Sequence, residues 1–318
     1  MSRRVALTVP LTVACIVFSS HAQAARVTAE KSEGGVVVKI DGQPFTEYLV
    51  NFHGTPILWP IIGPTGKPMT RAYPMQEGSE AERKDHPHHR SFWFNHGNVN
   101  GLSFWDTETI KHREFAKIES GDQAVVVTRN DWIDGDGKVV CEDERSLTFG
   151  VDGDTRRIDF DITLKATHGP VKFGDTKEGA MGIRVAGTMK VDADKKRNPN
   201  WGGHIVNSEG QTDGDTWGKR ASWVDYYGPV DDETVGIAAL NHPSSFRFPT
   251  YWHVRTYGLF AANPFGLHDF ERSDAIDGSY TIEDGKSISL YYRFLFHRGD
   301  AKAGRVAEAF SAYEKEKK

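Results

Sequence analysis

The sequence predicts an all-β protein: a large antiparallel β-sandwich, of ordinary or supersandwich size, with one C-terminal helix. Three observations predict it. Apolar and polar residues alternate with a period of two in run after run, Asp-Gly turn signals separate the runs, and helical spacing is confined to the C-terminal end. The clearest run is 157–165, where Ile158, Phe160, Ile162 and Leu164 alternate with Arg157, Asp159, Asp161 and Thr163. Such a strand buries one face and wets the other. Residues 287–296 repeat the pattern with Ile288, Leu290, Tyr292, Phe294 and Phe296. Further strand-like runs are 36–40, 56–62, 124–132, 139–149, 181–191 and 234–240. Between them lie Asp41-Gly42, the Asp134 to Gly137 repeat, Asp152-Gly153 and Asp284-Gly285. In 301–316, Val306, Ala309, Phe310 and Tyr313 fall at helical spacing among charged residues, as expected of an amphipathic helix covering a sheet.

The N-terminal end reads as an export signal. Arg3 and Arg4 precede an apolar run from Val5 to Phe18, and Ala22-Gln23-Ala24 has the small-residue pattern of a signal-peptidase site. Residues 1–24 are therefore expected to be a signal peptide, and 25–318 one sandwich domain, periplasmic or secreted. No later stretch approaches eighteen uninterrupted apolar residues, so no membrane span is expected once the signal is removed. Net charge is −5 over the chain and −7 without Arg3 and Arg4, with no long basic run, which argues against a nucleic-acid partner. Cys15 would leave with the signal. Cys141 then stands alone in a strand-like run, and no intramolecular disulfide is available.

Two segments break the alternating pattern, 84–106 and 241–265, and such departures are where function is expected. The first holds His86, His88, His89 and His96, with Asp85, Arg90, Trp93, Asn95, Asn98, Asn100, Trp105 and Asp106 close by. Histidine serves acid–base chemistry near neutral pH. Flat apolar rings beside amide and guanidinium donors suit a sugar, with its apolar faces and polar rim. His86 and His88, two apart on an extended backbone, project to one side and form a plausible divalent-metal chelate. The second segment repeats the chemistry with Asn241, His242, Trp252, His253, Arg255 and Asn263. Asp175, Glu178 and Arg184 flank a Gly-rich approach to a strand, and the two carboxylates are spare acid–base groups. No nucleophile elbow, phosphate loop or Cys-x-x-Cys pair is present.

The segments also carry a resemblance. Asp85 to Arg90, Phe92-Trp93-Phe94, His96-Gly97, Val99-Asn100-Gly101 and Phe104-Trp105 are similar to the signature of a family of exported bacterial proteins. So are Gly182-Ile183-Arg184, Trp223 to Tyr226, His242-Pro243, Trp252 to Arg255 and Tyr257 to Gly266. That family is labelled methane oxygenase PmoA or left as a domain of unknown function. Nearly all of 25–318 is covered. The chain departs at Ser91, where Gly is expected, and at Ser103-Phe104, where Asp-Phe is expected. The label names a polytopic membrane subunit, and 25–318 hold no spanning segment, so the label does not carry over. What the resemblance implies is a β-sandwich from bacteria rich in polysaccharide-degrading proteins.

The reading is a carbohydrate-active enzyme, cleaving, eliminating or epimerising a glycoside or sugar derivative, whose two segments meet at one cleft. Its catalytic candidates are His88, His96, Arg184 and His253, with Arg184 or Arg255 stabilising negative charge. Its substrate-binding candidates are His86, His89, Arg90, Trp93, Asn100, Trp105, Asn241, His242 and Arg255. A non-catalytic glycan-binding protein and a metal-dependent enzyme using His86 and His88 remain open beside it.

Overall fold

The computed structural model describes residues 25–318, and the expected signal peptide at 1–24 lies outside the described residues. The chain forms two large antiparallel sheets packed as a sandwich. The first has nine strands in the spatial order Val27–Lys31, Gly35–Ile40, Gln43–Phe52, Thr55–Leu58, Phe92–His96, Gly179–Arg184, Leu259–Asn263, Tyr251–Val254 and Lys219–Arg220. The second has eight, in the order His204–Asn207, Trp223–Val230, Glu233–Asn241, Ser287–Arg298, Thr155–Lys165, Val139–Asp152, Ala124–Ile133 and Thr109–Glu119. Val171–Phe173 and Tyr280–Ile282 make a separate two-stranded ribbon.

Period-two alternation places the core. Ile158, Phe160, Ile162 and Leu164 face Ile288, Leu290, Tyr292 and Phe294 inward, and they meet Val36, Val38, Phe92, Phe94, Ile183 and Phe260 from the other sheet in one apolar cluster. Cys141 is fully buried there, and burial pushes its thiol pKa up, as befits inert packing.

The expected C-terminal helix is present, and among the described residues another short α-helix joins it: the two are Leu267–Glu271 and Val306–Tyr313. The second is the expected C-terminal one, shortened, and its Val306 and Tyr313 pack on Ala238, Leu240 and Leu295 outside the eight-stranded sheet. The run 181–191 stops as a strand at Arg184, and 56–62 stops at Leu58.

Both pattern-breaking segments turn out to supply strands. Phe92–His96, Tyr251–Val254 and Leu259–Asn263 sit together with Gly179–Arg184 inside the nine-stranded sheet. Their residues are buried on both faces, apart from the half-buried Tyr251, so no polar face exists to alternate with the apolar one. The inward face meets the core. The outward face is roofed by the loops at 70–91 and 97–108, and on it the site is built.

Candidate active site

Strand register fixes the floor of the site. Ile57, Trp93, Gly182, Ala261 and His253 are successive partners across five strands, so they share the outward face. A methyl group on Gly182 would fall 2.5 Å from the Trp93 indole, so only glycine lets that ring lie over the sheet. Trp93 is buried, and the His89 imidazole lies nearly parallel to it with centroids 5.5 Å apart. His86 stacks on His89 at 4.8 Å, and Tyr257 stacks on His86 at 5.5 Å. Tyr257, His86, His89 and Trp93 thus form a pile of near-parallel rings, with His88 and Trp105 set across it.

Charges hold the pile from below. Arg71 and Arg184, both buried, converge on Oδ1 of Asp85 at 2.8 and 2.9 Å. Burial pushes the Asp85 carboxyl up, but Arg184 and Arg71 outweigh it, and its pKa falls below the usual carboxylate range. Burial, with Arg184 alongside, lowers Arg71 to about 10, so it stays charged at neutral pH. Arg71 also donates to the carbonyls of Arg83, Asp85, His86 and His89, which pins the loop. His86 and Ser91 sit in that loop at φ values of 43° and 59°, in the left-handed region. The family's expected glycine at position 91 has its reason there: the position favours a residue without a Cβ, and Ser91 compensates through a 2.8 Å bond with Thr70.

The same charges fix two tautomers. Arg184 Nη1 lies 3.0 Å from His89 Nδ1. A guanidinium only donates, so Nδ1 must accept, and the His89 proton resides on Nε2. Burial, then the positive charge of Arg184, drives the His89 pKa far below its ordinary value, so the ring stays neutral. His88 is the opposite case. Its Nδ1 stands 2.9 Å from Asp106 Oδ1, a position that requires Nδ1–H and leaves Nε2 as a lone pair. Burial lowers the His88 pKa in spite of Asp106, which keeps that lone pair free at neutral pH. Adjacent in the chain, one ring is a base and the other a permanent donor.

Around them opens a hollow of about 340 Å³, lined by His86, His88, His89, Trp105, Asp106, Lys177, Glu178, His253, Arg255, Tyr257 and Leu259. Arg255 and Tyr257 sit on the tight turn between two floor strands, closed by Arg255 N to Leu259 O and by Gly258 at φ 99°. His253 Nδ1 bonds the Lys177 carbonyl at 2.7 Å, and burial lowers its pKa to about 4. Lys177 pairs with Glu178 at 3.4 Å. Residues from both pattern-breaking segments therefore line one cavity.

Other expected site residues are placed elsewhere. His96 is fully buried on the inward face, bonded to the Gly174 carbonyl at 2.8 Å, with its pKa lowered by burial to about 4. Arg184 lies behind His89 rather than in the hollow. Asn100 shapes a left-handed turn and accepts from Lys172 N at 2.7 Å. Asn241 accepts from Thr250 N, and His242 holds the C-terminal end through the Glu316 carbonyl at 3.0 Å. Arg90 reaches the carbonyls of Phe52 and His53. Trp93 offers no exposed face for a sugar. Asp175 binds the backbone of His268 and Gly278. In the other direction, Arg71, Tyr257 and Lys177 were not singled out by residue type, and of the three only Tyr257 carries a signal, as part of the family motif.

Among the described residues, no three His, Cys, Asp or Glu side chains gather as a metal-binding set. The His86 and His88 rings stand perpendicular with centroids 5.6 Å apart, and each Nδ1 faces a different carboxylate.

With this geometry, comparison places the chain. The model of a family of unknown function, DUF6807, matches residues 35–311. The chain belongs to that family. The match bears out the unknown-function half of the resemblance and carries no methane oxygenase label. No curated protein matches the sequence. Distant structural likenesses include the family 36 α-galactosidase AgaA from Geobacillus stearothermophilus, at 8% identity and a TM-score of 0.41, over 87% of this chain and 41% of that one. A polysaccharide lyase is similar at 12% identity and a TM-score of 0.35, over 89% and 34%. A galactose mutarotase-like protein from Clostridium acetobutylicum is similar at 9% identity and a TM-score of 0.32, over 86% and 98%. The chain thus spans well under half of the galactosidase and of the lyase. No described helix is long and apolar enough to cross a membrane.

Proposed function

We propose that this DUF6807 protein is an exported enzyme acting on a sugar or glycoside by histidine and carboxylate acid–base chemistry. His88, oriented by Asp106, takes a proton from the substrate at Nε2. His89 donates its Nε2–H to the oxygen on which negative charge develops. Arg184 is a positioning residue, acting through the tautomer it imposes on His89. The observation that carries the reading is the opposed pair of tautomers at one hollow, set by Asp106 and Arg184. A neutral imidazole donor beside a neutral imidazole base is what proton abstraction next to an oxygen requires. Tyr257, on the same wall and with its hydroxyl pKa raised by burial, keeps a proton available to return.

The burial of Trp93 and Trp105 under the histidines weighs against a purely glycan-binding role, because neither indole presents a free face for stacking. The test is turnover over a panel of aldoses, uronates and aryl glycosides, followed by NMR in D2O. On a substrate so found, His88→Ala should lower the rate at least about 100-fold with its melting temperature kept. An unchanged rate in His88→Ala would remove the assignment.

A further inference from the structure

Past Arg255 the hollow adjoins a second one of about 430 Å³, lined by Gly214, Trp217, Val254, Arg255, Thr256 and Arg272. Two guanidiniums flank its indole. Arg255 stands 5.6 Å and Arg272 5.7 Å from the Trp217 ring centroid, and Arg255 is also 5.6 Å from Tyr257. Neither has a carboxylate partner among the described residues. Arg113, Arg129, Arg145, Arg157, Arg184 and Arg293, by contrast, are all paired.

Nearby acids are engaged elsewhere. Asp269 accepts from Lys177 N, Glu271 is bonded by the Tyr251 hydroxyl, and Asp213 accepts from Ile205 N. Two guanidiniums without a counter-ion on the walls of one hollow suit an anionic group. Arg272 is held by the left-handed cap of the short helix Leu267–Glu271, at φ 51°. Guanidiniums present planar forks of donors that match a carboxylate.

We propose that this second hollow binds the carboxylate of an acidic sugar whose ring lies in the first hollow beside His88. The inference rests on the reading of the first hollow as a carbohydrate site, and it narrows the substrate class to uronates. Arg255, on the wall of both hollows, ties the carboxylate to the reacting ring.

The test is calorimetric titration of the full protein with D-glucuronate and D-galacturonate against D-glucose and D-galactose. Wild type should bind one of the acids at least about tenfold more tightly than its neutral counterpart, the contribution of one charge-assisted contact. Arg272→Gln, on an exposed residue, should lower that ratio at least about threefold, Arg255 keeping the remainder. Equal affinities in wild type, no uronate binding at all, or a ratio unaltered in Arg272→Gln would each overturn the inference. The enzymatic reading fails differently, through unchanged turnover in His88→Ala, so the two are told apart.

Discussion

The outer faces of the two sheets are built from the same strand geometry and differ in what covers them. On the eight-stranded sheet, Arg129 and Lys165 pair with Glu144 across neighbouring strands and Arg113 reaches Glu142 two strands away, all part-exposed to water, and one amphipathic helix closes the apolar remainder. On the nine-stranded sheet, the charges are buried and the aromatic rings lie above them. Exposed pairs contribute little because water screens them, whereas buried ones become costly once broken. Charge sets a tautomer or shifts a pKa where a face is covered: beneath the rings of the nine-stranded sheet, and on the eight-stranded sheet at the buried Arg293–Asp159 and His297–Asp225 pairs rather than along the part-exposed ladder.

That contrast can be broken by mutation. The largest effect should come from Asp85→Ala, which strips two buried guanidiniums of their shared carboxylate and is expected to cost about 3–5 kcal/mol in chemical denaturation. A cost below about 1 kcal/mol would show that water reaches the network. Next comes the pH dependence of stability. His96 and His253 are held near pKa 4 by burial, while the unfolded chain titrates at about 6.5. Between those values the unfolded state binds more protons, so stability should fall on acidification from pH 7 to 5 by about 1–2 kcal/mol per residue.

His297, on the other sheet, works in the opposite sense. Burial lowers its pKa, but Asp225 at 3.0 Å more than reverses the shift. Its contribution is full below the unfolded value and is lost as pH rises through the folded one. His297→Gln should therefore destabilise more at pH 6 than at pH 9, checked by thermal melts at both. The smallest effect should be that of Glu144→Ala on the exposed ladder, at most about 1 kcal/mol. A larger loss there would erase the distinction between the two faces.

The contrast also decides what was legible beforehand. Strands of the eight-stranded sheet, such as Thr155–Lys165 and Ser287–Arg298, have one wet or charged face, and their alternation shows in the sequence. Phe92–His96 and Leu259–Asn263 have none, and they were read as irregular because burial on both sides removes the pattern. The loop around His86, His88 and His89 was visible through its composition. What composition cannot carry is direction. His96 belongs to the same cluster in sequence yet points into the core, because residues 93 and 96 on one strand face opposite sides. Arg71 carries no signal in the sequence, and Tyr257 carries one only as part of the family motif, since their roles lie in contacts with Asp85 and His86, distant in the chain.

The central claim is most directly tested by nitrogen-15 NMR of the protein labelled at its imidazoles. The His88 proton should reside on Nδ1 and the His89 proton on Nε2, with His89 remaining neutral to the lowest pH at which the fold persists. Finding both rings in one tautomer, or His89 titrating near pH 6.5, would contradict the account.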